Sequence, residues 1–308
     1  MRTKSLLSRK VIVPVSAVLC VLLLAAAVFK YAEEIVSFKQ RLYERNESQE
    51  TQDTPASAVD HTFVEPRSYR GDEWFVDMPL IYHACGGIDG LDYTNSREAL
   101  DQTLASAGPK ALVEVDFSFT SDGRLVCVHK WADLGVDAPL DYNEFRSFKV
   151  YGKYTTLSAA DILGYMERYP DLYIVVDTKE PLLDVMRELI ELSAGSDVLD
   201  RFIIQLYHAG EKAQIQAMHS FPEDHYLYTV YKTGNNPEYV LGICQEENIS
   251  VVTLPHSFFS DSWQVFIDNG FILYAHTVNR PDIGRALMAA GIFGLYTDFL
   301  TASDLTLP

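Results

Sequence analysis

Apolar and polar positions alternate along most of the chain in two distinct rhythms. Short extended runs rich in Val, Ile and Tyr occur at PLIYHA (79–84), ALVEVDF (111–117), RLVCVHK (124–130), LYIVVDT (172–178), RFIIQLY (201–207), HYLYTVY (225–231), ISVVTLP (249–255), FILYAHT (271–277) and FGLYTDF (293–299). Between most of them lie amphipathic stretches with helical spacing: Ser96–Ala107, Ser158–Tyr169, Leu182–Ala194, Gly210–His219, Glu238–Asn248, Ser260–Asn269 and Pro281–Ala290. Strands separated by helices of this length predict βαβ units and a parallel sheet. Residues 76–308, roughly 235 in number, approach the ~250 of a (β/α)₈ barrel. Nine runs are one too many for eight strands. The surplus falls at 117–130, where Thr120-Ser121-Asp122-Gly123 leaves room for a tight turn but not a crossover helix, so a hairpin is expected on the second strand.

Ahead of this alternation the rhythm changes. Val11–Phe29 runs without a charge, long enough to cross a hydrocarbon core of roughly 30 Å. Arg2, Lys4, Arg9 and Lys10 precede it, while Glu33 and Glu34 follow, so the positive-inside bias places residues 1–10 in the cytoplasm and the rest outside. The expectation is a single-pass cell-membrane protein with an extracellular domain. A cleaved signal peptide is the competing reading, with Ala25–Ala27 as small residues for cleavage, but the apolar run is longer than such segments usually are. Residues 30–75 are charged and polar and read as a stalk.

Composition changes the picture in one respect. With 25 Lys+Arg against 43 Asp+Glu, the formal net charge is -18, which repels phosphate backbones and argues against nucleic-acid partners. The four cysteines, Cys20, Cys85, Cys127 and Cys244, form no close-spaced pair and are expected to be free and mostly buried.

Barrel active sites gather at the C-terminal ends of the strands, which singles out the polar residues there. Glu114 and Asp116 alternate with Val113, Val115 and Phe117, so a period of two puts both carboxylates on one face. Either that face is wet, or a hard divalent cation such as Mg²⁺ or Ca²⁺ relieves the repulsion. Asp177 and Lys179 repeat the spacing: they form a local ion pair, or the carboxylate completes a metal site while the ammonium holds a phosphate. His83, followed by Gly86-Gly87, and His129 each close a run. Singly, each is read first as a hydrogen-bonded structural residue; together they suit a proton donor and acceptor. Tyr207, Tyr296, His276 and Asn279 are secondary pocket candidates. His208, His219, His225 and His256 are expected on helix surfaces or loop edges, and Trp263 in packing.

The ordered set of His83, Asn95-Ser96, VEVDFSFTSDGRLVCVH, VVDTK and HTVNRPDIGRALMAAGIFGLYTDF resembles the glycerophosphodiester phosphodiesterase family, within the barrel phosphodiesterases similar to phosphatidylinositol phospholipase C. The resemblance implies a metal-dependent phosphodiesterase, with Glu114, Asp116 and Asp177 as metal ligands, His83 and His129 as the acid/base pair and Lys179 on the phosphate. The chain departs from the family pattern at Ala84 for Arg, Thr94 for Glu, Lys130 for Asp and His276 for Trp. Loss of the Arg and Glu also admits an inactive barrel that serves as a binding or scaffold module. A glycosidase using Glu114 and Asp177 explains neither histidine nor Lys179.

Overall fold

The computed structural model describes residues 69, 71, 73–108 and 110–306. Eight strands lie parallel in a closed ring: β1 (Leu80–Tyr82), β2 (Ala111–Phe119), β6 (Leu172–Thr178), β7 (Phe202–Leu206), β8 (Tyr226–Thr229), β9 (Val251–Pro255), β10 (Ile272–His276) and β11 (Gly294–Thr297). Closure comes from β1, which pairs with β11 on one side and, through Tyr82 and Val113, with β2 on the other. This is the expected (β/α)₈ barrel. The surplus run is β3 (Leu125–Cys127), antiparallel to β2 through Phe117↔Cys127 and Phe119↔Leu125, as its tight turn foretold.

The period of two sorts the strands' side chains into two cores. Ile81, Leu112, Val175, Ile203, Leu227, Val251, Tyr274 and Tyr296 fill the barrel. Val113, Val115, Ile174, Val176, Ile204 and Leu254 pack outward under the helices. The helix Leu182–Leu192 shows the matching rhythm, burying Leu182, Val185, Met186 and Leu189 along one stripe. Helix starts carry their own stop for the orphan amides: Ser158 and Asp161 form a reciprocal capping box at Ala159–Arg168, and Ser96 accepts from Ala99 at the start of Arg97–Ala107.

Several details differ from the expectation. The packed body begins before residue 76: Trp74 and Phe75 are 3% and 2% exposed and join Met78 in the barrel-filling cluster. Trp74 stacks on Tyr274 and donates to the Asp224 carbonyl at 2.6 Å. Two aromatic rings in a polar segment do not register as periodicity, which is why they escaped the pattern. The stretch after His129 holds a short helix, Tyr142–Ser147, with an Asp141/Glu144 capping box, and a two-residue hairpin of β4 (Lys149–Val150) and β5 (Tyr154–Thr155). Expected Ser260–Asn269 is a 3₁₀ turn followed by Gln264–Asp268. His225, expected on a loop edge, is buried, with Nδ1 at 3.2 Å from the Phe202 carbonyl. Cys85, Cys127 and Cys244 are buried, as expected. The expected transmembrane segment 11–29, the cytoplasmic residues 1–10 and most of the stalk lie outside the described residues. Among the described residues no helix is long and apolar enough to cross a membrane.

Candidate active site

Parallel pairing of β2 with β6 sets Asp116 directly beside Asp177, with Glu114 two residues below on the same face. The three carboxylates are buried and offer ligand oxygens that all lie within 4.8 Å of one another. Each is oriented by a different neighbour. Glu114 Oε2 accepts the Ala84 amide at 2.6 Å, Asp116 Oδ2 accepts from Asn95 Nδ2 at 2.8 Å, and Asp177 Oδ1 accepts the Thr178 amide at 2.7 Å and the Tyr207 hydroxyl. Glu114 Oε1 is buried without a partner among the described residues.

The electrostatics follow from that crowding. Burial, then repulsion from Asp116, holds the Glu114 carboxyl well above the ordinary carboxylate range, and the nearby Asp177 charge adds to it. Burial likewise raises Asp177, against the pull of Lys179. The Lys179 ammonium stands 3.6 Å from Asp177 Oδ2 and is 42% exposed. Desolvation opposes its charge, but Asp177, Asp116 and Glu114 outweigh it and raise its pKa. An all-oxygen, anionic set with one orphaned buried acceptor is the donor chemistry of a hard divalent cation, so these residues fit Mg²⁺ or Ca²⁺.

His83 and His129 arrive from different elements and meet the same ring. Tyr93 lies 4.5 Å from the His83 centroid, edge-on, and 4.4 Å from that of His129. His83 Nδ1 is 2.8 Å from Asp298 Oδ1, and Asn279 fixes Asp298 by donating to its Oδ2 at 2.6 Å while accepting its backbone amide. Burial disfavours the imidazolium of His83, but that hydrogen bond and the charges of Glu114, Asp298 and Asp116 prevail and push its pKa up to about 9. His129 Nδ1 is 2.7 Å from Asp133 Oδ2. Both histidines therefore have Nδ1 engaged by a carboxylate, which sets ring orientation and leaves Nε2 for other work.

The backbone between β1 and the first helix is bent to make these contacts. Ala84, Cys85, Tyr93 and Asn95 all have positive φ, at 49°, 70°, 51° and 42°. Such conformations are costly for residues with a Cβ and persist where the surroundings hold them. The left-handed turn aims the Ala84 amide at Glu114, so position 84 serves through its backbone. Gly86, at φ 89°, turns the backbone where a residue with a Cβ rarely goes, and packing excludes a Cβ at both glycines, against Thr103 Oγ1 at Gly86 and against the Phe299 ring at Gly87. Thr94 turns its hydroxyl to Ser96 at 3.0 Å and supplies no carboxylate.

All six expected site residues thus end at one mouth of the barrel. Reasoning from sequence did not assign roles to Asn95, Asp298 and Tyr93. Asn95 and Asp298 lie within the Asn95-Ser96 and Thr297-Asp298-Phe299 runs but act as second partners, to Asp116 and His83, which spacing does not reveal. Tyr207 and Tyr296, secondary candidates, do line the interior: Tyr296 donates to Gln205 Oε1 at 3.1 Å, Gln205 to Tyr207 at 3.0 Å, and Tyr207 to Asp177.

No family model and no curated protein matches the sequence. Solved structures do match the fold. A Galdieria sulphuraria protein described as a glycerophosphodiester phosphodiesterase aligns over 71% of this chain and 93% of its own, at TM-score 0.60 and 14% identity. An Oleispira antarctica phosphodiesterase, solved with the product sn-glycerol-3-phosphate, aligns over 71% and 92%, at 0.57 and 17%. The glycerophosphodiester phosphodiesterase of Thermotoga maritima aligns over 71% and 94%, at 0.53 and 19%. The barrel is the fold of these phosphoric diester hydrolases.

Proposed function

We propose that the chain is a metal-dependent phosphodiesterase acting on a glycerophosphodiester, or on a related phospholipid or glycerol-phosphate polymer. The observation that carries this reading is the buried triad of Glu114, Asp116 and Asp177 with its unpartnered oxygen, set beside two carboxylate-held histidines and Lys179. The fold shared with glycerophosphodiester phosphodiesterases, and the glycerol phosphate bound in one of them, support the substrate class.

Glu114, Asp116 and Asp177 would hold a Mg²⁺ or Ca²⁺ ion, which would supply positive charge to the phosphodiester oxygens. Lys179 takes a second phosphate oxygen as a point charge. One imidazole removes a proton from the attacking water or neighbouring substrate hydroxyl as its oxygen bonds to phosphorus. The other returns a proton to the departing alkoxide as the phosphorus–oxygen bond breaks. Asp298 and Asp133 keep the two rings oriented through the cycle.

We place the enzyme at the cell membrane, held by residues 11–29 as a single-pass anchor with the barrel outside. The length and charge flanks of that segment support this placement.

The test is a panel of glycerophosphodiesters, lysolipids and phosphoinositides, assayed with added Mg²⁺ or Ca²⁺ and with chelator. Chelator-sensitive release of an alcohol from at least one diester is expected. The other reading, a barrel that binds without turnover, rests on Ala84, which offers no guanidinium to phosphate. Metal-dependent binding of glycerol phosphate with no hydrolysis of any panel member would establish it instead. Alkaline extraction of membranes and protease protection test the anchor: release of the chain by carbonate, or protection of the barrel inside right-side-out cells, refutes it.

A further inference from the structure

The corner of the mouth opposite the triad holds a histidine that the proposed chemistry does not use. His276 ends β10 and is 8% exposed. Its Nδ1 is 3.2 Å from the Tyr231 hydroxyl, while its Nε2 is buried with no partner among the described residues. Buried polar nitrogens are ordinarily paired, so an open one calls for a ligand atom or an account. Nothing in the packing supplies the account. Tyr296 meets the ring edge-on at 6.0 Å, and Tyr231 lies tilted over it at 4.8 Å.

We propose, building on the phosphodiesterase reading, that His276 is a specificity-determining residue whose Nε2 hydrogen-bonds a hydroxyl on the alcohol portion of the phosphodiester. Its neighbours define the chemistry. Lys179, assigned to the phosphate, stands over the Tyr231 ring at 5.5 Å, so the alcohol attached to that phosphate comes within reach of the same corner. Burial, together with the positive charges of His83 and Lys179, keeps the imidazole neutral down to about pH 3. Those same charges repel an ammonium headgroup. A neutral imidazole with Nδ1 committed presents Nε2 as either donor or acceptor according to tautomer, and a hydroxyl can answer in both senses. The matching ligand class is therefore an uncharged polyol, such as glycerol, rather than a choline-like or simple alkyl alcohol. Entry is from the Tyr231 side: that residue is 39% exposed, whereas Tyr296 is buried and forms the fixed wall. In the family pattern this position is Trp, whose indole offers an apolar face and a single donor, so the polyol contact belongs to this chain's own histidine.

The test compares two p-nitrophenyl diesters, of glycerol 3-phosphate and of propyl phosphate, hydrolysed by the full chain in detergent with Mg²⁺ or Ca²⁺. Calorimetric binding of glycerol 3-phosphate and of propyl phosphate runs in parallel. The parent should favour the glycerol diester in kcat/KM by roughly 10-fold to 10²-fold. His276→Phe should abolish that preference, with propyl turnover kept within about threefold, and His276→Gln should restore part of it. The calorimetric affinities should follow the same order. Hydrolysis by the parent with a preference that His276→Phe leaves unchanged overturns the assignment alone. Absence of both hydrolysis and binding in the parent overturns it together with the phosphodiesterase reading.

Discussion

Replacing Glu114 with Gln should make the chelated protein more stable, an unusual outcome for a buried polar substitution. Ionised oxygens within 4.8 Å repel by about 3 kcal/mol per pair at an effective dielectric of about 20. Glu114 takes part in two such pairs, with Asp116 and with Asp177. The native protein relieves part of this by holding protons, which is why Glu114 and Asp177 titrate above the ordinary range. The glutamine keeps an oxygen for the Ala84 amide, now accepted by Glu114 Oε2 at 2.6 Å, and places an amide donor where Oε1 has no partner. A net gain of about 1–3 kcal/mol is expected, equivalent to roughly 3–8 °C in Tm at pH 7.5. The pH dependence has a definite sign. Because the folded carboxyls hold protons that the unfolded chain has released, parental stability falls as pH rises from about 4 through the raised folded pKa values. That slope should flatten in the variant. Divalent cation should restore the parent's stability by about 2.7 kcal/mol at one hundred times its Kd and leave the variant little changed. Calorimetry from pH 4 to 9, with chelator and with Mg²⁺ or Ca²⁺, reads all of this. A variant less stable than the parent in chelator, or stabilised equally by the cation, refutes the reasoning.

Other consequences are more local. His83→Ala and His129→Ala should each lower kcat on a cleaved diester by roughly 10²-fold or more with intact circular dichroism, and retained parental turnover in the double variant would remove both from the chemistry. Asp298→Asn should lower the His83 pKa from about 9 by about one unit or more, read by NMR titration of the ring in chelated protein. An unmoved titration means Asp298 does not hold that proton. In the same state, the parent's stability from His83 is complete below about pH 6.5 and is lost as pH rises through about 9. Trp74→Ala should cost about 3–5 kcal/mol in urea unfolding, because the indole is buried against Tyr274 and donates to Asp224. A loss under about 1 kcal/mol would return Trp74 to the stalk.

The barrel and its triad were legible because both obey a period that survives in one dimension. Alternation along 111–117 puts Leu112, Glu114 and Asp116 on one face whatever the neighbouring strand is, and a second alternating run through Tyr173, Val175 and Asp177 needs only parallel pairing to meet it. The β2–β3 hairpin was legible for a related reason: Thr120-Ser121-Asp122-Gly123 is too short for any other connection. What escaped has no period. Asn95, itself at positive φ, reaches Asp116 across 21 residues, and Asp298 reaches His83 across 215. Gly86 and Gly87 stood out in the sequence, but the side chains of Thr103 and Phe299 that exclude a Cβ there did not. His276 falls between these cases. Its departure from Trp was visible in the sequence, but its meaning depended on Tyr231 occupying one ring nitrogen and leaving the other open. A departure from a family pattern becomes informative when the polar group it introduces is buried and unmatched, because folding alone gives no reason to keep it there.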